Sequence, residues 1–232
     1  MSKQATKSTL SKVNEILEIS DSYEAPGKIM EIIKDSEKRK EIFFKFLAVF
    51  EYDLSYEWFY KYFQDEHADR KNNKQDFTPR CLSDLISEMM CTSTTNGYQI
   101  IVEPAAGTGS TIISHWYKEQ KRAGFIWNYH PDDYLYKCTE LSSKTIPFLL
   151  FNLMIRGMNA IVIHGNALTL EAENAYWIYN ERNDSMGFSD LFVCPHNERT
   201  EKLFGIKFKE REKNEQMQQL LSQENLHWQC KL

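Results

Sequence analysis

The sequence contains little cysteine, no long hydrophobic run and no excess of positive charge. Its cysteines are scattered without a C-x-x-C pair, which argues against a metal site or a disulfide framework and favours a cytoplasmic protein; they are Cys81, Cys91, Cys138, Cys194 and Cys230. No apolar stretch approaches the roughly 20 residues that cross a bilayer. No apolar core follows the initial Met-Ser-Lys-Gln-Ala-Thr-Lys, so no signal peptide is expected. The formal net charge of −5 at pH 7 predicts that any contact with DNA is local or made through a partner subunit.

A length of 232 residues suits one α/β domain with a helical extension, or two small domains. The pattern from about residue 10 to residue 65 is helical, which predicts a helical amino-terminal region over 1–74. We expect the main domain over 75–232, ending in a polar helical tail. The aromatic stripe from Tyr56 to Phe63 is typical either of a hydrophobic core or of a base-stacking surface, and a core is the commoner use.

The most informative stretch is Gln99–Glu103, a strand pattern followed by the loop Pro-Ala-Ala-Gly-Thr-Gly and the start of a helix. A buried strand, a tight turn and a helix start form half of a nucleotide-binding βαβ unit. The dinucleotide fingerprint needs a third glycine where Ile112 stands, and the P-loop needs a lysine that this loop lacks. An acid, Glu103, before Gly107 and Gly109 suits a ligand with a cationic amino acid part and no phosphate. S-adenosylmethionine (SAM) fits that description, and an ordinary strand-to-helix turn is the alternative.

Polar residues also end the next two predicted strands. Tyr134–Glu140 is predicted to be a strand whose terminal acid grips a ribose diol through two hydrogen bonds, unless Glu140 is an ordinary surface residue. Ala160–His164 is predicted to be a third strand. In the loop after it, the side-chain oxygen of Asn166 can accept a hydrogen bond from the exocyclic amine of adenine.

A helix is predicted over Cys81–Met90, upstream of the first strand. Thr78 suits its N-cap and Pro79 its first position. This helix is either simply well capped or, together with Thr78, holds the carboxylate of SAM, because helix N-termini attract anions.

Downstream of the third strand the sequence predicts a polar insertion over 169–187 and a fourth strand over Phe188–Cys194. One further short strand fits within 203–208, and the rest of the chain is charged and helical in pattern. We therefore expect a sheet that is truncated after its fourth strand.

These segments, in this order, resemble the SAM-dependent N6-adenine DNA methyltransferases, above all the modification subunits of type I restriction systems. Asp76–Arg80 resembles the family's Phe-x-Thr-Pro segment, and Glu103–Gly109 its Asp-Pro-Ala-x-Gly-Thr-Gly loop. Thr139–Leu141 is similar to the ribose-binding acid, and Gly165–Leu168 to the Gly-Asp-x-Leu adenine loop. The resemblance implies an α/β, Rossmann-like SAM-dependent methyltransferase fold. It also implies a cofactor site made of Phe77, Thr78, Pro79, Glu103, Pro104, Ala105, Gly107, Thr108, Gly109, Glu140, Leu141, Asn166, Ala167 and Leu168.

The catalytic motif departs from the family pattern. The family places Asn- or Asp-Pro-Pro-aromatic after the fourth strand, and this chain has Cys194, Pro195, His196 and Asn197 there. The family's Asn or Asp accepts hydrogens of the adenine amine, and its aromatic residue stacks on the flipped base. A thiol is a weak acceptor, although Pro195 still offers its carbonyl group and His196 a planar ring.

The resemblance leaves two functions open. The chain is either an adenine-N6 DNA methyltransferase, completed by a partner chain, or a catalytically inactive relative that binds SAM as a regulatory or interaction module. The expected partners are DNA, reached through a partner subunit, and a protein partner or a second copy of the chain. No metal is expected.

Overall fold

The computed structural model describes residues 11–59, 78, 80–90 and 97–210. Within these ranges, three α-helices lie in the amino-terminal region: α1 (residues 11–17), α2 (Ala25–Lys34) and α3 (Ser36–Val49). Four more described α-helices follow: α4 (Arg80–Met90), α5 (Ser110–Arg122), α6 (Ile146–Ile155) and α7 (Glu198–Phe204). No helix in the described ranges has both the length and the apolar character needed to span a bilayer.

The strands form one mixed sheet in the order β1-β2-β3-β4-β5. Their bounds are β1 Gln99–Glu103, β2 Tyr134–Glu140, β3 Ala160–Asn166, β4 Glu171–Tyr179, β5 Asp190–Val193 and β6 Lys207–Phe208. The first three strands are parallel, β4 is antiparallel to β3 and to β5, and β6 pairs with the start of β4. Helix α5 connects β1 to β2 and α6 connects β2 to β3, which confirms the predicted α/β, Rossmann-like fold.

The polar insertion predicted over 169–187 is wrong in its first half, because β4 lies there. Acidic residues at the start of this segment suggested a loop, but its later residues have high strand propensity. Ala175, Trp177 and Ile178 are buried, and they contact hydrophobic cores on both faces of the sheet. The strand predicted as the fourth is therefore β5, the fifth in chain order, and the short strand expected within 203–208 is β6.

The amino-terminal helices pack against α6 and share its hydrophobic core. The rings of Phe43 and Phe46 in α3 each lie 4.7 Å from the ring of Phe151 in α6, measured between centroids. The core position predicted for the aromatic stripe is confirmed for Trp58 and Phe59, which are buried. The rest of the stripe, residues 60–63, lies outside the described residues.

The helical pattern predicted from residue 10 to residue 65 is interrupted after Val49, where α3 ends, and residues 60–65 lie outside the described residues. Glu51 and Tyr52 adopt positive φ angles of 54° and 58°, which no helix accommodates. The side chain of Asp53 then accepts a hydrogen bond from the backbone N–H of Ser55 at 3.0 Å, the geometry of an Asx turn. Residues 51–59 consequently form an irregular segment that is exposed at its start and buried at Trp58 and Phe59.

Strand β1 pairs with β2 on one side only, within the described part of the chain. Its Ile101 is buried, but Ile100 and Val102 are 59% and 57% exposed, respectively. Alternate residues of a strand face opposite sides of the sheet, so β1 shows an uncovered apolar face as well as an unpaired edge.

Candidate functional site

The carboxyl ends of β1, β2 and β3 meet at one edge of the sheet, since the three strands are parallel. A pocket of about 510 Å³ opens there, within the roughly 300–1,000 Å³ range of small-molecule sites. It brings together most of the residues predicted to bind SAM: Thr78, Glu103, Pro104, Ala105, Gly107, Thr108, Glu140, Leu141, Asn166, Ala167 and Leu168. Its remaining lining comes from Ile86, Ala106, Ser110, Thr111, Thr145 and Gly165. Of the other predicted residues, Phe77 and Pro79 lie outside the described residues.

The loop after β1 owes its shape to its two glycines. Gly107 has a φ of 56° and Gly109 a φ of 101°, both in the left-handed region that favours glycine. Gly109 stands at the N-cap of α5, where a Cβ would lie 3.1 Å from the side chain of Leu149. Gly109 is therefore placed behind the pocket rather than in its lining, and its lack of a Cβ lets the Leu149 side chain of α6 pack against the start of α5.

Glu140 links the second strand to the loop after the first. Its Oε2 accepts a hydrogen bond from the N–H of Gly107 at 2.9 Å, and its Oε1 accepts one from the N–H of Ser142 at 2.7 Å. Burial raises the pKa of this carboxyl, and the bonds from Ser142 and Gly107 oppose that shift. The residue is only 8% exposed, which rules out an ordinary surface glutamate. A carboxylate has about four lone-pair sites, so Glu140 can still accept a hydrogen bond from a ligand.

At the ends of β1 and β3, the side chains of Glu103 and Asn166 each accept a hydrogen bond from the backbone two residues further along the chain. Glu103 Oε1 accepts from the N–H of Ala105 at 3.2 Å, which shapes the start of the glycine loop. Asn166 Oδ1 accepts from the N–H of Leu168 at 2.9 Å, so this oxygen already closes its own turn. Leu168 is 94% exposed, and it places a large apolar side chain at the rim beside Asn166.

Gly165 makes the turn after β3 possible. The pairing of β3 with β4 shifts register between His164 and Gly165. A Cβ at Gly165 would lie 2.8 Å from Cα of Ala172 and would contact the carbonyl oxygen of Glu171. Only glycine therefore allows the two backbones to approach this closely, and the bulge that results aims Asn166 at the pocket.

Helix α4 is held against α5, which fixes Thr78 at the pocket. The hydroxyls of Ser83 and Ser110 lie 2.8 Å apart, and Ser114 donates to Asp84 at 2.6 Å. These contacts join the amino-terminal halves of both helices, and Thr78, two residues before α4, lines the same pocket as Ser110 and Thr111 at the start of α5. The capping role predicted for Thr78 involves Pro79, outside the described residues.

The four predicted catalytic residues do not line this pocket. Two strands, β3 and β4, lie between β2 and β5, so the end of β5 is remote from the loop after β1. Cys194 is 4% exposed, and burial raises the pKa of its thiol to about 12. The His196 ring stacks on Phe208 with 4.1 Å between centroids. Asn197 Oδ1 caps α7 by accepting from the N–H of Thr200 at 2.9 Å, and Pro195 connects these residues to Cys194.

The sequence reasoning missed a buried polar cluster beneath the glycine loop, made of Glu57, Asn152 and Arg156. Asn152 Nδ2 donates to the carbonyl oxygen of Thr108 at 2.9 Å and to Glu57 Oε1 at 2.8 Å. Burial raises the pKa of Glu57 to about 7 and lowers that of Arg156 to about 9. A detectable signal was present: an asparagine interrupts the otherwise apolar run of α6, with an arginine four residues later.

A family model describing the N-6 DNA methylases matches residues 53–225. No curated protein and no solved structure matches the chain at a comparable level. The matched range contains the glycine loop, the six strands described above and the Glu57 segment. Since this match covers well over half of the sequence, the chain belongs to the N-6 DNA methylase family.

Proposed function

We propose that the pocket binds SAM, the methyl donor of a DNA adenine-N6 methyltransferase. One observation carries the proposal: three loops that are far apart in sequence, each resembling a SAM-binding motif, converge on a single pocket at the carboxyl edge of the sheet. Open α/β sheets bind ligands at this edge. The family of the chain supports the methyl-transfer chemistry.

The charge of the pocket suits SAM better than a nucleotide phosphate. Glu103 and Glu140 are acidic, and none of the described lining residues is Lys or Arg. Two carboxylates attract the ammonium and sulfonium groups of SAM and would repel a phosphate chain. In this proposal Glu140 accepts from the ribose hydroxyls, the loop after β3 with Asn166, Ala167 and Leu168 borders the adenine, and Thr78 lies near the amino acid part. When bound, SAM supplies an electrophilic methyl group.

A thermal-shift comparison of three ligands tests this assignment. SAM should raise the melting temperature of the purified chain, because a ligand that binds only the folded state stabilises it. ATP and NAD should leave it unchanged, since the glycine loop has neither a lysine nor a third glycine. A larger shift with ATP or NAD than with SAM would overturn the proposal.

The environment of residues 194–197 favours the alternative function, a SAM-binding module without catalysis. The Cys194 thiol is buried, and the side-chain oxygen of Asn197 is used in a helix cap. Neither group therefore stands ready to accept hydrogens from an adenine amine. Transfer of tritiated methyl groups from SAM to mixed-sequence DNA, assayed on the chain together with any partner that co-purifies with it, distinguishes the two functions, because only the enzyme labels DNA.

An enzyme built on this chain needs a second polypeptide in our proposal. Strand β1 leads directly into the glycine loop, and it has an exposed edge and an exposed apolar face. A partner strand that paired with this edge would therefore lie beside the pocket. Such a partner can supply both the amine acceptor and the contact with DNA, which the acidic chain is poorly suited to make. This arrangement corresponds to a modification subunit of a cytoplasmic restriction-modification system.

A further inference from the structure

We propose that Glu57, Asn152 and Arg156 form a buried relay that positions the glycine loop for SAM, with Asn152 holding the loop and Glu57 holding Asn152. This inference rests on the proposed SAM site. None of the three residues lines the pocket, so they act as positioning residues through Thr108, which does.

Asn152 uses its whole amide in the relay. One hydrogen bond from its Nδ2 reaches the carbonyl oxygen of Thr108 at 2.9 Å, and another reaches Glu57 Oε1 at 2.8 Å. Its Oδ1 accepts from Arg156 Nη1 at 3.0 Å. A side-chain amide has two N–H donors, so both are occupied and the orientation of Asn152 is fixed. The orientation of the loop carbonyl at Thr108 is fixed in turn.

Glu57 is itself held by the irregular segment after α3. Its Oε1 also accepts from the N–H of Phe59 at 2.6 Å. Arg156 clamps the same segment, donating to the carbonyl oxygen of Leu54 at 3.1 Å and to that of Tyr56 at 2.6 Å. The relay thus joins three parts of the chain: the segment after α3, the middle of α6 and the loop after β1.

A purely structural role explains these residues poorly. Buried charges destabilise a fold unless they are well paired, and apolar residues of similar size usually stabilise it as well or better. Every residue of α6 is buried, and Asn152 is the one with a polar side chain. That side chain is aimed at the backbone of a pocket residue. Its position therefore favours a role in the shape of the pocket.

The neighbourhood of Glu57 makes the relay sensitive to pH. The hydrogen bonds from Asn152 and Phe59 lower the pKa of Glu57, as do the charge of Arg156 at the C-cap of α6 and, more weakly, the Thr108 hydroxyl of the loop. Asp53 and Tyr56, on the same segment as Glu57, act on Arg156. The Thr108 hydroxyl and Glu57 Oε2 lie close to each other, but among the described residues neither atom makes a hydrogen bond of normal geometry. An ionised Glu57 attracts the Asn152 donor more strongly than a protonated one, so the loop is held most firmly when Glu57 is charged.

Calorimetric titration with SAM tests the relay in the full chain. Asn152→Leu should weaken SAM binding by about tenfold or more, which corresponds to the removal of one hydrogen bond. Asn180→Leu is the matched control, because Asn180 is also buried and also holds a loop, donating to the carbonyl oxygens of Gly157 and Asp184. The control should change SAM affinity by less than about twofold. Equal effects of the two variants would overturn the proposal.

Glu57→Gln provides the readout that a merely structural role would not change. Its carbonyl oxygen can still accept from Asn152 and Phe59, and its amide can donate to the unpartnered Thr108 hydroxyl, so the fold is preserved. The wild-type chain should bind SAM more tightly at pH 8 than at pH 6, and Glu57→Gln should lack most of that dependence. A variant with the wild-type pH profile would contradict the relay. If the wild-type chain bound no SAM at any pH, the proposed function would fail and the relay with it.

Discussion

The backbone N–H of Gly107 donates to the carboxylate of Glu140 at 2.9 Å, across 33 residues of sequence. This bond makes the end of β2 part of the loop after β1. The backbone N–H of Ala106 donates to the carbonyl oxygen of Thr139 at 2.9 Å and strengthens the same link. Two motifs that are separate in sequence are therefore one structural unit, and a substitution in one should alter the conformation of the other.

The bulge after β3 should be intolerant of any side chain at position 165. Gly165→Ala should lower the free energy of unfolding by roughly 1–3 kcal/mol, since its Cβ would force the backbone of Glu171 and Ala172 to shift. Gly27→Ala in α2 is the control, because no atom lies within 4 Å of its added Cβ. That change should stabilise the helix by about 0.5–1 kcal/mol. Urea unfolding measures the free energy of unfolding of both variants. If Gly165→Ala is as stable as the wild type, the close approach of β3 to the backbone of Glu171 and Ala172 is wrong.

The buried Glu57 should make stability depend on pH in a defined direction. Its pKa is about 7 in the folded chain and 4.5 in the reference state, so the folded state binds the proton more tightly. The contribution of protonated Glu57 to the free energy of unfolding is fully present below pH 4.5, decreases as the pH rises, and is lost above about pH 7. The total is about 3 kcal/mol, at 1.36 kcal/mol per pKa unit. Glu57→Gln should remove this component, as the difference between the two unfolding curves over pH 4–8 would show. Parallel curves would contradict the burial of an ionisable Glu57.

The segment Cys194–Asn197 should matter for stability rather than for methyl transfer by this chain alone. Transfer to adenine should be very slow or absent in the isolated chain, since removing one preorganised hydrogen-bonding group typically reduces the rate by ~10²–10³. Asn197→Ala removes the cap of α7 and should lower stability by about 1 kcal/mol. The double change Cys194→Asn with His196→Pro should restore no activity, because β5 is remote from the glycine loop. Robust methylation by the wild-type chain that Asn197→Ala abolishes without loss of stability would refute this view.

The uncovered face of β1 should be a site of association. We expect light scattering on the purified chain to show an oligomer, or a pull-down to recover a partner bound through this strand. Ile100→Lys with Val102→Lys should disrupt either assembly, because a buried charge opposes pairing at an apolar face. Met186→Lys is the control, since Met186 is similarly exposed but lies in the loop after β4. If the wild-type chain is a monomer by light scattering and the pull-down recovers no partner, the proposal is contradicted.

Much of the fold could be predicted from local signals. The parallel strands β1 and β2 were predicted with their observed bounds, because β-branched or aromatic runs end in an acid and a turn. Gly157, with a φ of 64°, lies just past the end of α6, where glycine is a common stop signal that can be recognised in the sequence. The pocket followed from the topology rule that parallel strands share their carboxyl edge.

The errors came from long-range effects that local patterns do not encode. The acidic start of β4 suggested a loop, but pairing with β3 and two hydrophobic cores make the segment a strand. That additional strand lies between β3 and β5, the strand that leads to Cys194, and the linear order of motifs could not reveal it. Glu57 was overlooked for the same reason, since its partner Asn152 is 95 residues away.

Titration calorimetry with SAM on the wild-type chain and on Glu140→Gln and Glu140→Ala tests the SAM pocket most directly. Glu140 accepts from two N–H groups, and a glutamine would turn its amide donor toward one of them. Both variants should therefore weaken SAM binding, by roughly 1.5–3 kcal/mol for each hydrogen bond to the carboxylate that is removed. Glu173→Gln, which changes a partly exposed carboxylate outside the pocket on β4, should bind like the wild type. No heat of binding with millimolar SAM, or equal affinity in all four proteins, would contradict the assignment of this pocket to SAM.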